Sequence, residues 1–312
     1  MIYILSCETI ENKGGIYAYD VQGNGSLEQK GYFPCDRPMY ALKCKKGLCV
    51  LLRQPFISSN DSGYFYIDET LQTASEIKST KGVVACHLCV ENENVYVVNY
   101  LSGNIVKNGG IIAQREGNSV HLIRQTQPHT HFVSQTFDGY LAVCDLGTDA
   151  LAFYDTDLRL VSEGKVPSGY GIRHLIFSKG GKFIYAINEL VPSISVFVYE
   201  NGKAKLINTI KIHCKKEKAS GAAIRLSDDG KYLYVSLRED NAIAVYAVSD
   251  EKLTLLQVVN CGGNSPRDFN IFGNILVCTN ENSGDVTIFQ IENGYLTQLE
   301  IMLNIPKPLC VL

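Results

Sequence analysis

One short strand pattern recurs seven times along this chain, and its spacing limits the folds the chain can reach. The copies are GGIYAYDV from Gly14, SGYFYIDE from Ser62, SGNIVKNG from Ser102, TDALAFYD from Thr148, PSISVFVY from Pro192, DNAIAVYA from Asp240 and SGDVTIFQ from Ser283. Successive copies start 48, 40, 46, 44, 48 and 43 residues apart. Seven hairpins in one open sheet would exceed ordinary sheet size and leave long unpaired edges.

Each copy sits inside a larger unit. After Gly171 the chain reads GIRHLIFS, a KGGK turn, FIYAINEL from Phe183, a turn at Pro192, SISVFVYE from Ser193, an NGK turn and AKLINTIK from Ala204. The next unit repeats the order as AAIRLS, DDGK, YLYVSLRE, AIAVYAVS and KLTLLQVV, and the one after as RDFNIF, GN, ILVCTNEN, DVTIFQIE and YLTQLEIM. The inner segments are almost continuously apolar, as in sheets covered on both faces. Four-stranded units of this length, repeated radially, predict an all-β, seven-bladed β-propeller occupying residues 1–312 as a single domain. The chain opens on IYILSC, a second strand without a first, and closes on PKPLCVL (Pro306 to Leu312), a first strand with no unit after it. The expectation is that the C-terminal strand completes the N-terminal blade, which removes the seam's exposed edges.

Composition narrows function by exclusion. With 29 basic and 32 acidic side chains the formal net charge is −3, so no basic footprint for nucleic acid or an anionic membrane is present. The longest apolar run, Ala242 to Val248, is far too short to span a bilayer. The N-terminus, MIYILSCETIENKGG, lacks the basic and apolar regions of a secretory signal. Eleven cysteines, an odd number, then read as reduced thiols and predict a cytoplasmic location. Cys86 and Cys89 have CxxC spacing without the second ligand pair a zinc site needs, so they read as buried small side chains. No GxSxG elbow and no P-loop occur. His129 and His131, two apart, are expected on one face of a strand, but a metal would need a third ligand from another blade.

In a propeller the first strand of each blade lines the central channel and the second returns antiparallel. The start of the first and the end of the second therefore share one rim. First-strand starts are Pro38-Met39-Tyr40, Ala85-Cys86-His87, His129-Thr130-His131, Ile172-Arg173-His174, Gly221-Ala222-Ala223, Pro266-Arg267-Asp268 and Pro308-Leu309-Cys310. Second-strand ends are Arg53, Asn99, Asp145, Asn188-Glu189, Arg238-Glu239 and Asn280. Arginines, histidines and carboxylates thus gather at one mouth of the channel. Ionisable groups brought together this way must pair or bind something. A polar pocket on the ring axis is the default site. The competing reading is that strand ends are simply solvated and polar, or that these groups pair to brace adjacent blades.

PHTHFV, CDLGTDALAFY, GIRHLIFSKGGKFIYAINEL, AAIRLSDDGKYLYVS and SPRDF, with CHL and NYLSG earlier in the chain, resemble the motifs of the propeller-type 6-phosphogluconolactonase family. That family also includes fungal carboxy-muconate cyclases. The resemblance runs nearly end to end at blade spacing. It implies a cytoplasmic, metal-independent enzyme without a cofactor that hydrolyses 6-phosphogluconolactone to 6-phosphogluconate in the pentose phosphate pathway. In the cyclases a His, two Arg and a Glu form the site; the matching residues here are His129 or His131, Arg173, Glu189 and Arg238. His87, Asp145, His174 and Arg267 also match family-typical positions. Ile172 stands where the family often has Pro, and Ala223 where it often has an acidic residue; both departures bear on substrate more than on fold.

The expected chemistry follows from residue type. Arg173 and Arg238 would hold an anionic substrate and its oxyanion, with Arg267 in support, because guanidinium stays charged and offers a planar fork. His131 is the expected base and Glu189 the group that orients it or the arginines, since neighbouring arginines oppose the raised pKa a glutamate base needs. His87, His129, Asp145, His174 and Arg267 are expected to contact substrate. The expected partner is a small anionic lactone, with no nucleic acid or membrane, on a monomer or weak homodimer. A related lactonase or cyclase acting on a carboxylate would use the same arginines. A non-enzymatic propeller would leave the channel mouth unspecialised.

Overall fold

A computed structural model describes residues 1–22 and 26–312. Its strands, β1 to β28 in chain order, form seven four-stranded antiparallel sheets. The recurring pattern becomes the third strand of every blade: β2 (Gly15–Val21), β6 (Gly63–Ile67), β10 (Asn104–Lys107), β14 (Ala150–Tyr154), β18 (Ser193–Glu200), β22 (Ala242–Ser249) and β26 (Asp285–Glu292). Turn chemistry sets the hairpins. Asn201 and Gly202 join β18 to β19 (Lys203–Lys211) with φ of 48° and 71°, and Asn293 and Gly294 join β26 to β27 (Tyr295–Asn304) with φ of 49° and 85°. Two consecutive left-handed residues match the twist of the flanking strands, which explains the Asn-Gly pairs. Gly294 also lies so close to Tyr232 that a Cβ there would sit 2.3 Å from the ring.

The ring closes as the repeat predicts. β28 (Pro308–Val311) pairs with β1 (Ile2–Ser6), so the first blade runs β28-β1-β2-β3, with β3 at Leu27–Pro34. Packing confirms the circuit: seven apolar clusters each fill the space between two adjacent blades, including one of Ile2, Ile4, Val277, Val286 and Ile288 that bridges the last blade to the first. Burying one such side chain contributes about 1.5–3 kcal/mol. Tyrosines on second strands add a polar staple to the same seams. The hydroxyls of Tyr3, Tyr96, Tyr185 and Tyr234 donate to the carbonyls of Glu69, Thr156, Asp250 and Gly294, each on the following blade, at 2.8, 3.1, 2.7 and 3.2 Å. These tyrosines bury their rings and still satisfy the hydroxyl.

One blade departs from the repeat. The outer strand of the second blade, β7, is only Lys78–Ser79. Asp68 gathers the N–H groups of Thr70, Gln72 and Thr73 there, making a turn where a longer strand would run.

A second periodic feature positions the site. Every first strand carries a register shift within its opening residues, where it pairs with the second strand. These first strands are β4 (Pro38–Cys44), β8 (Ala85–Glu91), β12 (Thr130–Gln135), β16 (Ile172–Phe177), β20 (Gly221–Leu226), β24 (Pro266–Phe272) and β28. The extra residue in six blades is Met39, Cys86, His131, Arg173, Arg267 or Leu309; in the blade of β20 the bulge spans Ala222 and Ala223. A β-bulge breaks alternation and re-aims a side chain. All six of those side chains line one small cavity on the axis.

Candidate functional site at one channel mouth

The mouth is organised around one buried carboxylate. Glu189 follows β17 (Phe183–Asn188), and its main chain is held from both sides. Its N–H donates to the Gly171 carbonyl at 2.7 Å, and its own carbonyl accepts from Gly221 N–H at 3.2 Å. The residue is 2% exposed. Oε2 accepts from Arg173 Nε at 3.0 Å, Oε1 accepts from Arg124 Nη2 at 2.5 Å, and Arg238 Nη2 lies 3.2 Å from Oε1. Arg173 is held further by donating from Nη1 to the Ala222 carbonyl at 2.6 Å, on the bulge of the next blade. Arg267 pairs with Glu281 at 3.5 Å. Four arginines thus face two glutamates, leaving a surplus of two positive charges.

Beneath the arginines lies the small cavity of about 30 Å³, lined by the six bulged side chains with Tyr40, His174 and Asp268. The His131 and His174 rings are 5.1 Å apart there. Arg173 Nη1 lies 3.2 Å from His174 Nε2, and a guanidinium only donates, so the His174 ring proton sits on Nδ1. Nδ1 of His131, Nδ1 of His174 and Nε of Arg238 are buried without a protein partner. Further along the axis a separate cavity of about 530 Å³ opens at the opposite end, walled largely by Leu42, Phe132, Leu175, Ile176 and Phe272. Arg225, which lines it, is paired with Asp268 of the small cavity at 2.8 Å.

Burial and neighbours set the charge states. Burial pushes the Glu189 carboxyl up, but Arg238, Arg173 and Arg124 together hold it well below the usual carboxylate range. Burial, and then Arg173, hold His131 well below its ordinary value despite Glu189, so the imidazole is neutral with a free lone pair. His174 and His87 are likewise held low by burial and by nearby arginines. Burial and Arg267 push Arg173 down to about 9, with Glu189 opposing, which leaves it charged at neutral pH. Burial beside Asp145 pushes the Cys144 thiol well up, which removes it as a nucleophile.

The sequence-predicted residues fall into two groups. Arg173, His131, His174, Glu189, Arg238 and Arg267 come together at the mouth. His87 lies deeper, wedged between the tilted rings of Tyr40 and Phe132 with centroids 4.0 and 4.2 Å away, and lines the opposite cavity. Asp145 faces inward. Its Oδ1 accepts from His129 N–H at 2.8 Å and Gly147 N–H at 3.1 Å, and its Oδ2 accepts from Arg115 Nε at 3.0 Å. Arg115 also pairs with Glu163, so this carboxylate braces the blade. His129 and His131 do not share a face as alternation predicts, because the bulge between Thr130 and Phe132 intervenes. His129 instead stacks on Tyr100, with centroids 4.3 Å apart and planes 11° apart. Ala223 is fully buried among Tyr234, Phe269 and Phe289, so the position without a carboxylate lies in a seam and not at the mouth.

Two mouth residues escaped the sequence reading. Arg124 comes from the connection between β11 (Ile111–Gln114) and β12, outside any strand end, and Tyr100 follows β9 (Asn94–Asn99). Gln125 pins that connection to the next blade by donating to Leu146 O and Asp149 Oδ1, each at 2.8 Å. The signal available was proximity: Arg124 lies just ahead of the PHTH run that opens β12. Among the described residues, no helix is long and apolar enough to cross a membrane.

Comparison with known proteins agrees with this fold. Residues 2–312 match the family described as "Lactonase, 7-bladed beta-propeller". An uncharacterized protein of Staphylococcus aureus strain MSSA476 is 30% identical, with 97% of each chain covered. Among solved structures, a "putative 6-phosphogluconolactonase" from Bacteroides fragilis superposes with a TM-score of 0.88 at 27% identity, covering 99% of this chain and 96% of that one. The periplasmic gluconolactonase of Pseudomonas aeruginosa shares the fold, with a TM-score of 0.85 at 22% identity and 100% and 98% coverage. With a closed ring of seven blades, an arginine-lined mouth and a match running from Ile2 to the last residue, the chain belongs to the seven-bladed β-propeller lactonase family.

Proposed function

We propose that this protein hydrolyses an anionic sugar lactone of the 6-phosphogluconolactone kind, giving the open-chain acid, at the mouth built around Glu189. The observation that carries this reading is the surplus of arginine over carboxylate there. Glu189 satisfies Arg173 while leaving Arg238 Nε unpartnered, and Arg267 is held only loosely by Glu281 at 3.5 Å. Such a surplus suits a doubly charged anion such as a phosphate monoester.

The residues divide the work. Arg238 and Arg267 take the anionic end of the substrate. Arg173, fixed by Glu189 and the Ala222 carbonyl, presents its guanidinium to the carbonyl oxygen as negative charge develops there. Neutral His131 takes the proton of the attacking water, and its depressed basicity keeps it unprotonated through neutral pH. Glu189, ionised and surrounded by arginines, is the fixed counter-charge that holds them in register. His174 receives a hydrogen bond from Arg173 and supports its orientation. The protein acts in sugar phosphate metabolism, where this lactone arises by oxidation of an aldose phosphate.

The test is a lactonase assay on freshly prepared 6-phosphogluconolactone, corrected for spontaneous hydrolysis. The wild-type protein should accelerate ring opening. Arg173→Ala should lower kcat/KM at least tenfold, about 1.4 kcal/mol of transition-state stabilisation, and Arg238→Gln should act mainly through KM. Unchanged turnover in Arg173→Ala, with the variant shown to be folded by thermal melting, refutes the assignment.

A further inference from the structure

Hydrolysis of a sugar lactone leaves an alkoxide on the ring oxygen, and an aliphatic alkoxide departs slowly unless it receives a proton. Of the residues assigned above, only His131 carries a transferable proton at that stage, the one it has just taken from water on the attacking side. The arginines and Glu189 hold charge, so a separate donor on the leaving-group side is needed if His131 does not reach across. Tyr100 meets the geometric requirements. Its hydroxyl accepts from Arg124 Nη2 at 3.1 Å and Nε at 3.3 Å, and the same Arg124 Nη2 reaches Glu189 Oε1 at 2.5 Å. The phenol therefore lies one guanidinium away from the central carboxylate, on the rim of the mouth. Its ring meets His131 edge-on, with centroids 5.7 Å apart.

The hydroxyl's own proton is uncommitted. Tyr100 Oη acts as an acceptor in both of its contacts and donates to no protein atom among the described residues. Its position is fixed from behind. His129 stacks on the ring, and its Nδ1 lies 2.9 Å from the Tyr100 carbonyl, so Nδ1 carries the hydrogen. This gives His129 a positioning role. Burial raises the phenol's pKa while the Arg124 hydrogen bonds oppose the rise, so the group is protonated at neutral pH and its anion has a cation waiting beside it.

We propose that Tyr100 is the acid that protonates the leaving ring oxygen, a role that rests on the hydrolase reading above. Water attacks the carbonyl carbon, a C–O bond forms, the carbonyl π pair moves onto oxygen beside Arg173, and His131 takes the water proton. On collapse that pair returns, the bond from the acyl carbon to the ring oxygen breaks, and the ring oxygen keeps the bonding electrons and takes the Tyr100 proton. The tyrosinate formed next to Arg124 regains a proton, through solvent, from the His131 imidazolium. One water is consumed, and one hydroxyl and one carboxylic acid appear, the acid ionising in solution.

Two lactones separate this role from a structural one. In 6-phosphogluconolactone the leaving group is an aliphatic alkoxide; in dihydrocoumarin it is a phenolate, which departs without a proton. Tyr100→Phe removes one oxygen from a partly exposed ring, and its folding is checked by thermal melting. The expected result is a loss of about a hundredfold in kcat on the sugar lactone. KM should stay within threefold, and the aryl lactone should be far less affected than the sugar lactone. A loss below fivefold on the sugar lactone overturns the proposal, as does an equal loss on both lactones or a change confined to KM. If wild-type protein hydrolyses neither lactone, the hydrolase reading falls and this proposal with it; wild-type activity with undiminished Tyr100→Phe turnover overturns the proposal alone.

Discussion

Replacing Glu189 by Gln isolates the electrostatics on which the mouth depends. The amide keeps the shape of the side chain and one acceptor oxygen but removes the charge that three arginines share. The side chains of Arg173 and Arg238 are 3% and 13% exposed, so water cannot replace what is lost. At about 4 Å between charge centres and an effective dielectric of about 20, each pair carries roughly 4 kcal/mol of gross attraction. Stranding buried cations without their counter-charge costs about 3–5 kcal/mol net. Unfolding entropy of about 2.1 cal/mol/K per residue, over a chain of this length, converts that into a fall in Tm of about 5–8 °C. Urea and thermal unfolding at pH 7 measure it. Asp229→Asn is the control, because it removes a pair whose side chains are 71% and 47% exposed and should shift stability by less than about 0.5 kcal/mol. The sign with pH is fixed as well. Glu189 titrates lower folded than unfolded, so its contribution is present above its unfolded pKa and lost as pH falls through the folded one; the two stability curves should converge in acid. Added inorganic phosphate should raise the Tm of Glu189→Gln more than that of wild type, since an anion can stand in for the missing charge. A Glu189→Gln protein within about 1 kcal/mol of wild type, or no more affected than the Asp229 control, would refute the claim that this carboxylate holds the arginines together.

Two further outcomes separate bracing from chemistry. Asp145→Asn should cost about 1.5–3 kcal/mol in urea unfolding, because buried Arg115 keeps only Glu163, while kcat and KM stay within twofold; a tenfold loss of turnover at unchanged stability would move Asp145 into the site. His87, His131 and His174 are neutral when folded and titrate below their unfolded value, so the unfolded chain takes up protons first as pH falls. Their contribution is full above about pH 6.5 and declines below it, by about 1.4 kcal/mol per pH unit for each fully linked proton. Urea midpoints that stay level from pH 7.5 to 5.5 would show that these imidazoles are not held neutral.

The ring was legible because its cause is local and repeated. Third strands such as SISVFVYE and AIAVYAVS are apolar on both faces, Asn-Gly pairs mark the hairpins, and a first blade short of one strand is matched by one strand to spare after the last. Where a blade breaks the pattern, the cause is a local competitor. Asp68 offers the main chain a turn in place of the outer strand of the second blade, and a carboxylate with three N–H partners outweighs a few residues of edge pairing.

The site was legible only in part, and the boundary between the two parts is physical. Strand ends could be read, so Arg173, Glu189 and Arg238 were placed together. The bulge could not, because nothing in HTH or IRH announces that one residue is extra. Strict alternation puts His129 and His131 on one face; the bulge sends His131 into the axial cavity with Arg173, Cys86 and Arg267, and leaves His129 to stack on Tyr100. The same irregularity recurs in every first strand, so it belongs to the architecture and not to any one residue. Seven antiparallel pairs that kept perfect register would present every second side chain to the channel along their whole length. Seven bulges at one end instead turn an additional ring of side chains onto the axis at a single level. That ring holds Met39, Cys86 and Leu309 on one side and His131, Arg173 and Arg267 on the other. Only the second set can hold an anion or move a proton, which confines the chemistry to one arc of the mouth, facing Tyr100 and Arg124.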